Sequence, residues 1–134
     1  MEQMNAMKQF SVAIVSVSLA ACGGVGEVRS SGEENVGPYP ANWKAIVASW
    51  IADNYADPRS IIDSEAAPPF RNNQLFFDSW TVCIRNNAKN QFGGYTGRRI
   101  TELGIKKGQV VTVDSKNDMF CRDAKFEPFP LNFR

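Results

Sequence analysis

The sequence contains no histidine among its 134 residues. Histidine is the usual general base at neutral pH and a common metal ligand. Its absence excludes Ser-His and Cys-His nucleophile pairs and imidazole metal sites. A hydrolase with this composition would need Lys, Glu or Asp as its base. The composition therefore favours a protein that is not an enzyme, and we assign no catalytic residue, no metal ligand and no cofactor.

The sequence also lacks an excess of charge of either sign. Fifteen Lys and Arg residues stand against 14 Asp and Glu residues, which gives a net charge of +1. A balanced chain has no field that would steer it to nucleic acid, so we expect no nucleic-acid partner. The hydrophobic content of 43% is enough to build the core of one domain.

No apolar run is long enough to cross a membrane. The longest covers residues 10–21, whereas a spanning helix needs roughly 20 apolar residues. It ends in small residues, which is typical of a signal peptide. A start at Met7 would place Lys8 directly before the run, and the sequence favours that start. The alternatives are a plain cleaved signal and a buried first helix of a cytosolic domain.

The stretch Leu19-Ala20-Ala21-Cys22 resembles the lipobox of bacterial lipoproteins. The resemblance implies diacylglycerol on Cys22, cleavage before it and commonly a third acyl chain, a palmitate, on the new amino group. Two or more chains anchor a protein stably in a membrane. Gly23, where an Asp would signal retention, implies the outer membrane, with the domain facing the periplasm.

Cysteine is scarce, and the odd count of three needs an explanation in an exported protein. If Cys22 carries the lipid, Cys83 and Cys121 remain. An exported protein reaches an oxidising compartment, so this pair predicts a disulfide. The alternative is a redox or metal-binding thiol pair, but the two cysteines lack CxxC spacing and further ligands.

Composition divides the chain into three parts. Residues 1–21 form the predicted lipoprotein signal peptide. Residues 22–40 form the lipidated cysteine and a tether rich in Gly, Ser and Glu, which is typical of a flexible linker. Residues 41–134 form the single predicted domain.

An amphipathic helix opens this domain. Asn42 is a suitable N-cap, and Asp57-Pro58 is a predicted helix end. Apolar residues recur at helical spacing on one face. They are Trp43, Ile46, Val47, Trp50, Ile51 and Tyr55. We expect this face to pack on a sheet, although two tryptophans on one face could also form a ligand platform.

The sequence after the helix is predicted to form strands. A weak strand over 60–66 ends at Pro68-Pro69, and the strongest covers 76–86. Trp80, Val82 and Ile84 alternate with Cys83, so Cys83 should lie on the face away from the helix. Strands over 98–105 and 109–114 form a hairpin. Pro128 and Pro130 exclude a central strand at the end of the chain.

The predicted fold is therefore α+β, with one helix on a three- to four-stranded antiparallel sheet. The stretch from Trp80 to Gly97, with the late Cys121, resembles small bacterial envelope lipoproteins of unassigned function. That resemblance implies no activity.

The loop after the strongest strand is the candidate binding surface, because amides, aromatic rings and cations suit glycans or an acidic patch on a partner. Its residues are Arg85, Asn87, Lys89, Asn90, Phe92, Tyr95, Arg98 and Arg99. The alternative is a hairpin loop whose glycines and polar residues serve backbone geometry and solubility.

Carboxylates are scattered without signature spacing and suit a solvated surface. They are Asp53, Asp57, Asp63, Glu65 and Asp78.

These observations predict a non-catalytic lipoprotein, held at the membrane by Cys22, that binds or stabilises an envelope protein or the cell wall. An alternative is a small inhibitor of a cell-wall hydrolase such as a lysozyme, with the loop over residues 86–97 inserted into its target. A third is an enzyme with a Lys or carboxylate base.

Overall fold

A computed structural model describes residues 35–74 and 78–133. Within them an α-helix packs on a five-stranded antiparallel sheet, which is an α+β arrangement. The predicted signal peptide, Cys22 and the greater part of the predicted tether lie outside the described residues.

The sheet has five strands, and the prediction of three to four was wrong. Its order is β4-β3-β2-β1-β5, and every neighbouring pair is antiparallel. The elements in chain order are helix α1 (Trp43–Asn54), a 3-10 turn (Pro58–Ser60), β1 (Ile62–Asn72), β2 (Ser79–Asn87), β3 (Arg99–Lys106), β4 (Gln109–Asp114) and β5 (Glu127–Pro128).

Helix α1 covers one face of the sheet, as its periodicity predicts. Trp43, Val47 and Ile51 are buried in the main core. Asn42 occupies the N-cap position, but its side chain makes no capping hydrogen bond. The helix ends at Asn54, before the predicted stop, because the backbone of Tyr55 is already extended. The proline that follows opens the 3-10 turn instead.

Strand β2 is the centre of the sheet, and its alternation is confirmed. Val82 and Ile84 are buried in the core cluster that contains the helix face. Cys83 is buried in a second cluster, on the opposite face. Of the predicted strand 76–86, residues 76 and 77 lie outside the described residues.

Strand β1 runs through Pro68-Pro69, where the sequence predicts a break. Its pairing with β2 shifts register between Ala67 and Phe70. A bulge leaves residues out of the ladder, so the two prolines remove no required donor. The strand continues to Asn72, beyond the predicted end at Pro68-Pro69.

The edge strand β5 agrees with the expectation that the prolines near the end of the chain exclude a central strand. It pairs with β1 through Glu127 and Pro128 alone. Phe129 follows, is buried, and stacks on Trp43 with ring centroids 5.8 Å apart. The end of the chain thus closes the core beside the helix.

The predicted hairpin joins β3 to β4 through a tight turn. Lys107 and Gly108 have φ angles of 49° and 78°. Positive φ at both central residues is the signature of a type I′ turn, which matches the twist of paired strands.

The predicted disulfide is present between Cys83 and Cys121, whose Cα atoms lie 5.6 Å apart. It holds the segment after β4 against the sheet face that the helix leaves uncovered. Ala67 joins the two buried cysteines in this second cluster, and Phe126 packs against it.

The packed part of the chain begins earlier than the predicted domain start at residue 41. Val36 is fully buried, and its carbonyl accepts a hydrogen bond of 2.8 Å from the N–H of Lys107. The carbonyl of Gly37 accepts one of 3.1 Å from Trp80 Nε1. The end of the predicted tether is therefore fixed to the domain beside the β3–β4 turn.

Candidate functional site

The loop between β2 and β3 carries most of the predicted binding residues, and one of them shapes it. Asn90 Oδ1 accepts hydrogen bonds from the N–H groups of Phe92 (2.9 Å) and Gly94 (3.1 Å). An isolated bridge pairs Lys89 with Tyr95. Asn90 therefore serves the loop conformation, as the alternative interpretation expects.

Further hydrogen bonds tie this loop to the rest of the domain. The Tyr95 hydroxyl donates to the carbonyl of Ser60 (2.9 Å), and the N–H of Lys89 donates to Ser60 Oγ (3.1 Å). Asn87 Oδ1 accepts from the N–H of Gly97 (3.0 Å). The loop is consequently held in one position before any partner arrives.

Arg85 and Arg98 belong to a different part of the surface. Both pair with Glu65, Arg85 at 2.7 Å. Arg85 also lies over the Phe126 ring, 4.2 Å from its centroid. Asp78 likewise pairs with Arg71 at 2.6 Å. These contacts explain both predicted cations and two of the scattered carboxylates as structural ion pairs.

Phe92 lies in the same loop with 86% of its surface exposed. Exposure of an apolar ring of this size to water is unfavourable. Exposed aromatic rings on fixed loops commonly serve as anchors at interfaces. The predicted role of Phe92 in binding stays a prediction.

A cavity of about 310 Å³ lies between this loop and the end of helix α1. We name it the basic pocket. It brings together the predicted residues Lys89, Asn90 and Arg99, whereas the other five do not line it. Its lining is Trp50, Asn54, Tyr55, Ala56, Asn86, Ala88, Lys89, Asn90, Thr96, Gly97, Arg99, Thr101, Val113 and Ser115. This lining holds two cations and no carboxylate.

Asn86 is a polar residue of the basic pocket that begins the predicted loop over residues 86–97 but was not named among the binding residues. Only 3% of it is exposed, and its Oδ1 accepts a hydrogen bond of 3.2 Å from the Tyr55 hydroxyl. Its Nδ2 is buried and has no partner among the described residues. The parity that it shares with Val82 and Ile84 was a usable signal, because that parity faces the helix.

The aromatic wall of the basic pocket comes from the helix. Trp50 and Tyr55 are half-buried, with ring centroids 6.0 Å apart and planes at 85°. Both rings pack against the core, as predicted, and both also line the cavity. The predicted packing of this helix face on the core is confirmed, and its role as a ligand platform stays a prediction.

A second, larger cavity of about 770 Å³ lies on the opposite face. It lies beside residues 115–126, which carry Cys121 and which we name the disulfide segment. We name the cavity the sheet cleft. Glu102 lies on its floor, is 7% exposed, and was not singled out from the sequence. Its Oε1 accepts hydrogen bonds from the N–H groups of Phe120 (2.8 Å) and Cys121 (3.2 Å).

Burial raises the pKa of Glu102, and the two backbone hydrogen bonds only partly oppose that shift. Loss of hydration disfavours the charged form of a carboxyl group. A raised pKa can mark a general acid or base. Here the same carboxyl oxygen holds the backbone of the disulfide segment, so its contacts indicate a structural role.

The described residues contain no group of three or more Cys, Asp or Glu side chains that could hold a metal ion. Nor does any helix within residues 35–74 and 78–133 have the length and apolarity to cross a membrane.

Comparisons with protein families, curated proteins and solved structures find no match to this chain.

Proposed function

We propose that this protein is a lipoprotein of the bacterial cell envelope that is anchored through Cys22 and acts by binding, without catalysis. The observation that carries the binding role is the basic pocket. It is preformed, it holds two cations without a carboxylate, and a fixed loop forms one side of it. A preformed site loses little conformational entropy when a ligand enters.

The proposed lipid anchor at Cys22 is supported by separate observations. The stretch Leu19-Ala20-Ala21-Cys22 has the lipobox pattern, and the Cys83–Cys121 disulfide suits an oxidising compartment. Because the disulfide uses two of the three cysteines, Cys22 is left for the lipid. Gly23 favours the outer membrane, which would place the domain in the periplasm, within reach of envelope proteins and the cell wall.

Binding is favoured over catalysis by the positions of the charged groups. The basic pocket has no carboxylate to act with its cations. Glu102, the carboxylate with a raised pKa, lies on the opposite face and holds two backbone N–H groups. The sheet cleft does hold both signs of charge, since Lys116 and Arg122 line it with Glu102, Asp114 and Asp118. Glu102 and Asp114, however, accept hydrogen bonds from backbone N–H groups, which indicates structural roles.

The test is a pull-down of the lipid-bearing full chain from detergent-solubilised membranes. We expect one envelope component, a protein or a wall fragment, to co-purify with the wild type. Arg99→Gln should lose it, because that change removes a cation from the pocket. Arg59→Gln, which removes an exposed cation outside the pocket lining, should retain it. Cys22→Ala should move the protein to the soluble fraction. Equal recovery with both arginine variants would contradict the pocket's role.

A second candidate, an inhibitor of a cell-wall hydrolase, is favoured by one observation. Phe92 is 86% exposed in a loop fixed by the Asn90 side chain. Fixed loops with an exposed anchor are suited to insertion into an enzyme cleft. Protection of cells against added lysozyme that disappears with Phe92→Ala, but survives Arg99→Gln, would favour this candidate over the first.

A further inference from the structure

We infer that the basic pocket binds an acidic saccharide, a sugar unit that carries a carboxylate. This inference rests on the proposed binding function and specifies its ligand. Three independent features of the pocket support it: uncompensated positive charge, an unsatisfied buried donor and an aromatic wall.

The charge of the pocket selects an anion. Lys89 and Arg99 both line it, and no Asp or Glu does. By contrast, Arg85 and Arg98 both pair with Glu65. Among the described residues Arg99 has no carboxylate partner. An anionic group in this pocket would receive charge-assisted hydrogen bonds, which are stronger than neutral ones.

The buried amide of Asn86 requires an acceptor. Its Nδ2 lacks a partner while its Oδ1 is held by the Tyr55 hydroxyl at 3.2 Å. A buried donor left unsatisfied is costly, so native structures rarely keep one without a reason. Asn86 lines the pocket, but its Nδ2 is closed to a molecule the size of water, so a ligand oxygen reaches it only when the side chain turns towards the cavity. Thr101, itself 6% exposed, adds a hydroxyl to the same lining.

The wall and the volume select a sugar ring. Trp50 and Tyr55 present apolar surface beside these polar groups, and a pyranose combines an apolar C–H face with hydroxyls. The volume of about 310 Å³ lies at the lower end of the range for small-molecule sites, about 300–1,000 Å³. The pocket therefore fits one sugar unit with its acid group directed at the cations.

The experiment is calorimetric titration of the lipid-bearing full chain in detergent micelles. The probes are N-acetylmuramic acid and glucuronic acid, with neutral N-acetylglucosamine, glucose 6-phosphate and a short peptide with a free C-terminal carboxylate for comparison. We expect both sugar acids to bind at least tenfold more tightly than the neutral sugar, which is 1.4 kcal/mol. Arg99→Gln should remove that preference and Arg59→Gln should keep it. Circular dichroism of both variants checks that they are folded.

Several results would overturn the inference. One is equal binding of acidic and neutral sugars, and another is unchanged preference in Arg99→Gln. A stronger response to glucose 6-phosphate would make the site a phosphate site, and binding of the peptide alone would make it a peptide site. If no sugar acid binds while Arg99→Gln still loses the envelope component in the pull-down, the ligand class is wrong and the proposed function stands. If the pull-down is insensitive to Arg99, the proposed function fails by itself.

Discussion

Glu102 connects the disulfide segment to the sheet through one carboxyl oxygen. That oxygen accepts from the N–H groups of Phe120 and Cys121, while Glu102 itself stands opposite Cys83 in the β2–β3 pairing. Burial disfavours the charge, and the neighbouring carboxylates of Asp114 and Asp118 disfavour it further. The acid therefore holds the segment at a cost in stability whenever it is ionised.

The sign of this effect can be tested with Glu102→Gln. A folded-state pKa above the ordinary value of 4.5 means that the native state binds the proton more tightly than the unfolded state does. This stabilising contribution is complete below pH 4.5 and is lost as the pH rises through the folded pKa. Glutamine keeps an oxygen acceptor without the charge. We expect the melting temperature of the variant relative to wild type to increase from pH 4 to pH 7.

Two comparisons make that test specific. Glu127→Gln, which removes the charge of an exposed glutamate on the edge strand, is the matched control for loss of one carboxylate. Asp114 affects the stability of the domain at lower pH than Glu102 does. The N–H groups of Asn117 and Lys116 lower its pKa, so its contribution is present above its ordinary value of 3.8 and disappears as the pH falls through the folded pKa. A constant difference between Glu102→Gln and wild type from pH 4 to pH 7 would contradict the assignment.

For a single residue, the sequence predicts which face of the sheet its side chain lies on, but not which distant residues that side chain contacts. Alternation places Asn86 on the helix side of β2 and Glu102 on the other side of β3. What each side chain meets depends on Tyr55 and on the backbone of Cys121, which lie far away in the chain. Long-range contacts of this kind leave no local pattern. For this reason Glu102 was missed, and Asn86 was included in the predicted loop without a role of its own.

The elements that were predicted well are those with local signals. Helix α1 and the β3–β4 hairpin follow from periodicity and from a glycine-containing turn. Strand β1 was misjudged because its two prolines fall at a bulge, and only the partner strand reveals a bulge. Strand β5 has two residues and depends entirely on β1. The sheet was therefore predicted at its centre and missed at its edge.

The disulfide is the element-scale contact with the largest expected energy. It joins residues 38 positions apart, and closing a loop of that length is worth about 4 kcal/mol in the chain-entropy model. For a domain of this size we expect reductant to lower the melting temperature by roughly 15 °C or more. Thermal melts of the wild type with and without dithiothreitol measure the effect.

Cys83→Ser is the matched variant for this prediction. Without reductant it should melt close to the reduced wild type, and dithiothreitol should not change it further. Equal melting of the wild type with and without reductant would show that the bridge contributes no stability. Loss of the disulfide should also loosen the segment that Glu102 holds, so hydrogen exchange at Phe120 and Cys121 should become faster.

On the scale of the whole molecule, the sheet separates two differently covered faces. The helix covers one face and forms the basic pocket at its end, while the disulfide segment covers part of the other and borders the sheet cleft. The loop side of the candidate site was predictable, since loop composition indicated Lys89, Asn90 and Arg99. The helix side was not, because the pocket exists only where the loop meets α1.

The point at which the chain enters the domain predicts how the domain is oriented relative to the membrane, and we call this orientation its polarity. Val36 is fixed beside the β3–β4 turn by the N–H of Lys107. The loop that borders the basic pocket is at the other end of the sheet, because strand β3 runs from that loop to the turn. Eight residues of β3 separate the two ends by about 25 Å. If Cys22 is the anchor, the turn lies near the membrane and the pocket away from it.

Lipid-bearing protein in vesicles can test this polarity. Bimane attached at Lys107→Cys or at Phe92→Cys reports proximity to nitroxide-labelled lipid headgroups. If residues 22–34 form the flexible tether that their composition predicts, the chain from Cys22 to Val36 would span about 20 Å on average. The label at position 107 should therefore be quenched more strongly than the label at position 92. Inserting ten Gly-Ser residues before Glu34 should reduce the difference, because a longer coil lets the domain reorient. Equal quenching at both positions in the native chain would contradict the polarity and would remove the reason to expect the pocket to face a component beyond the membrane surface.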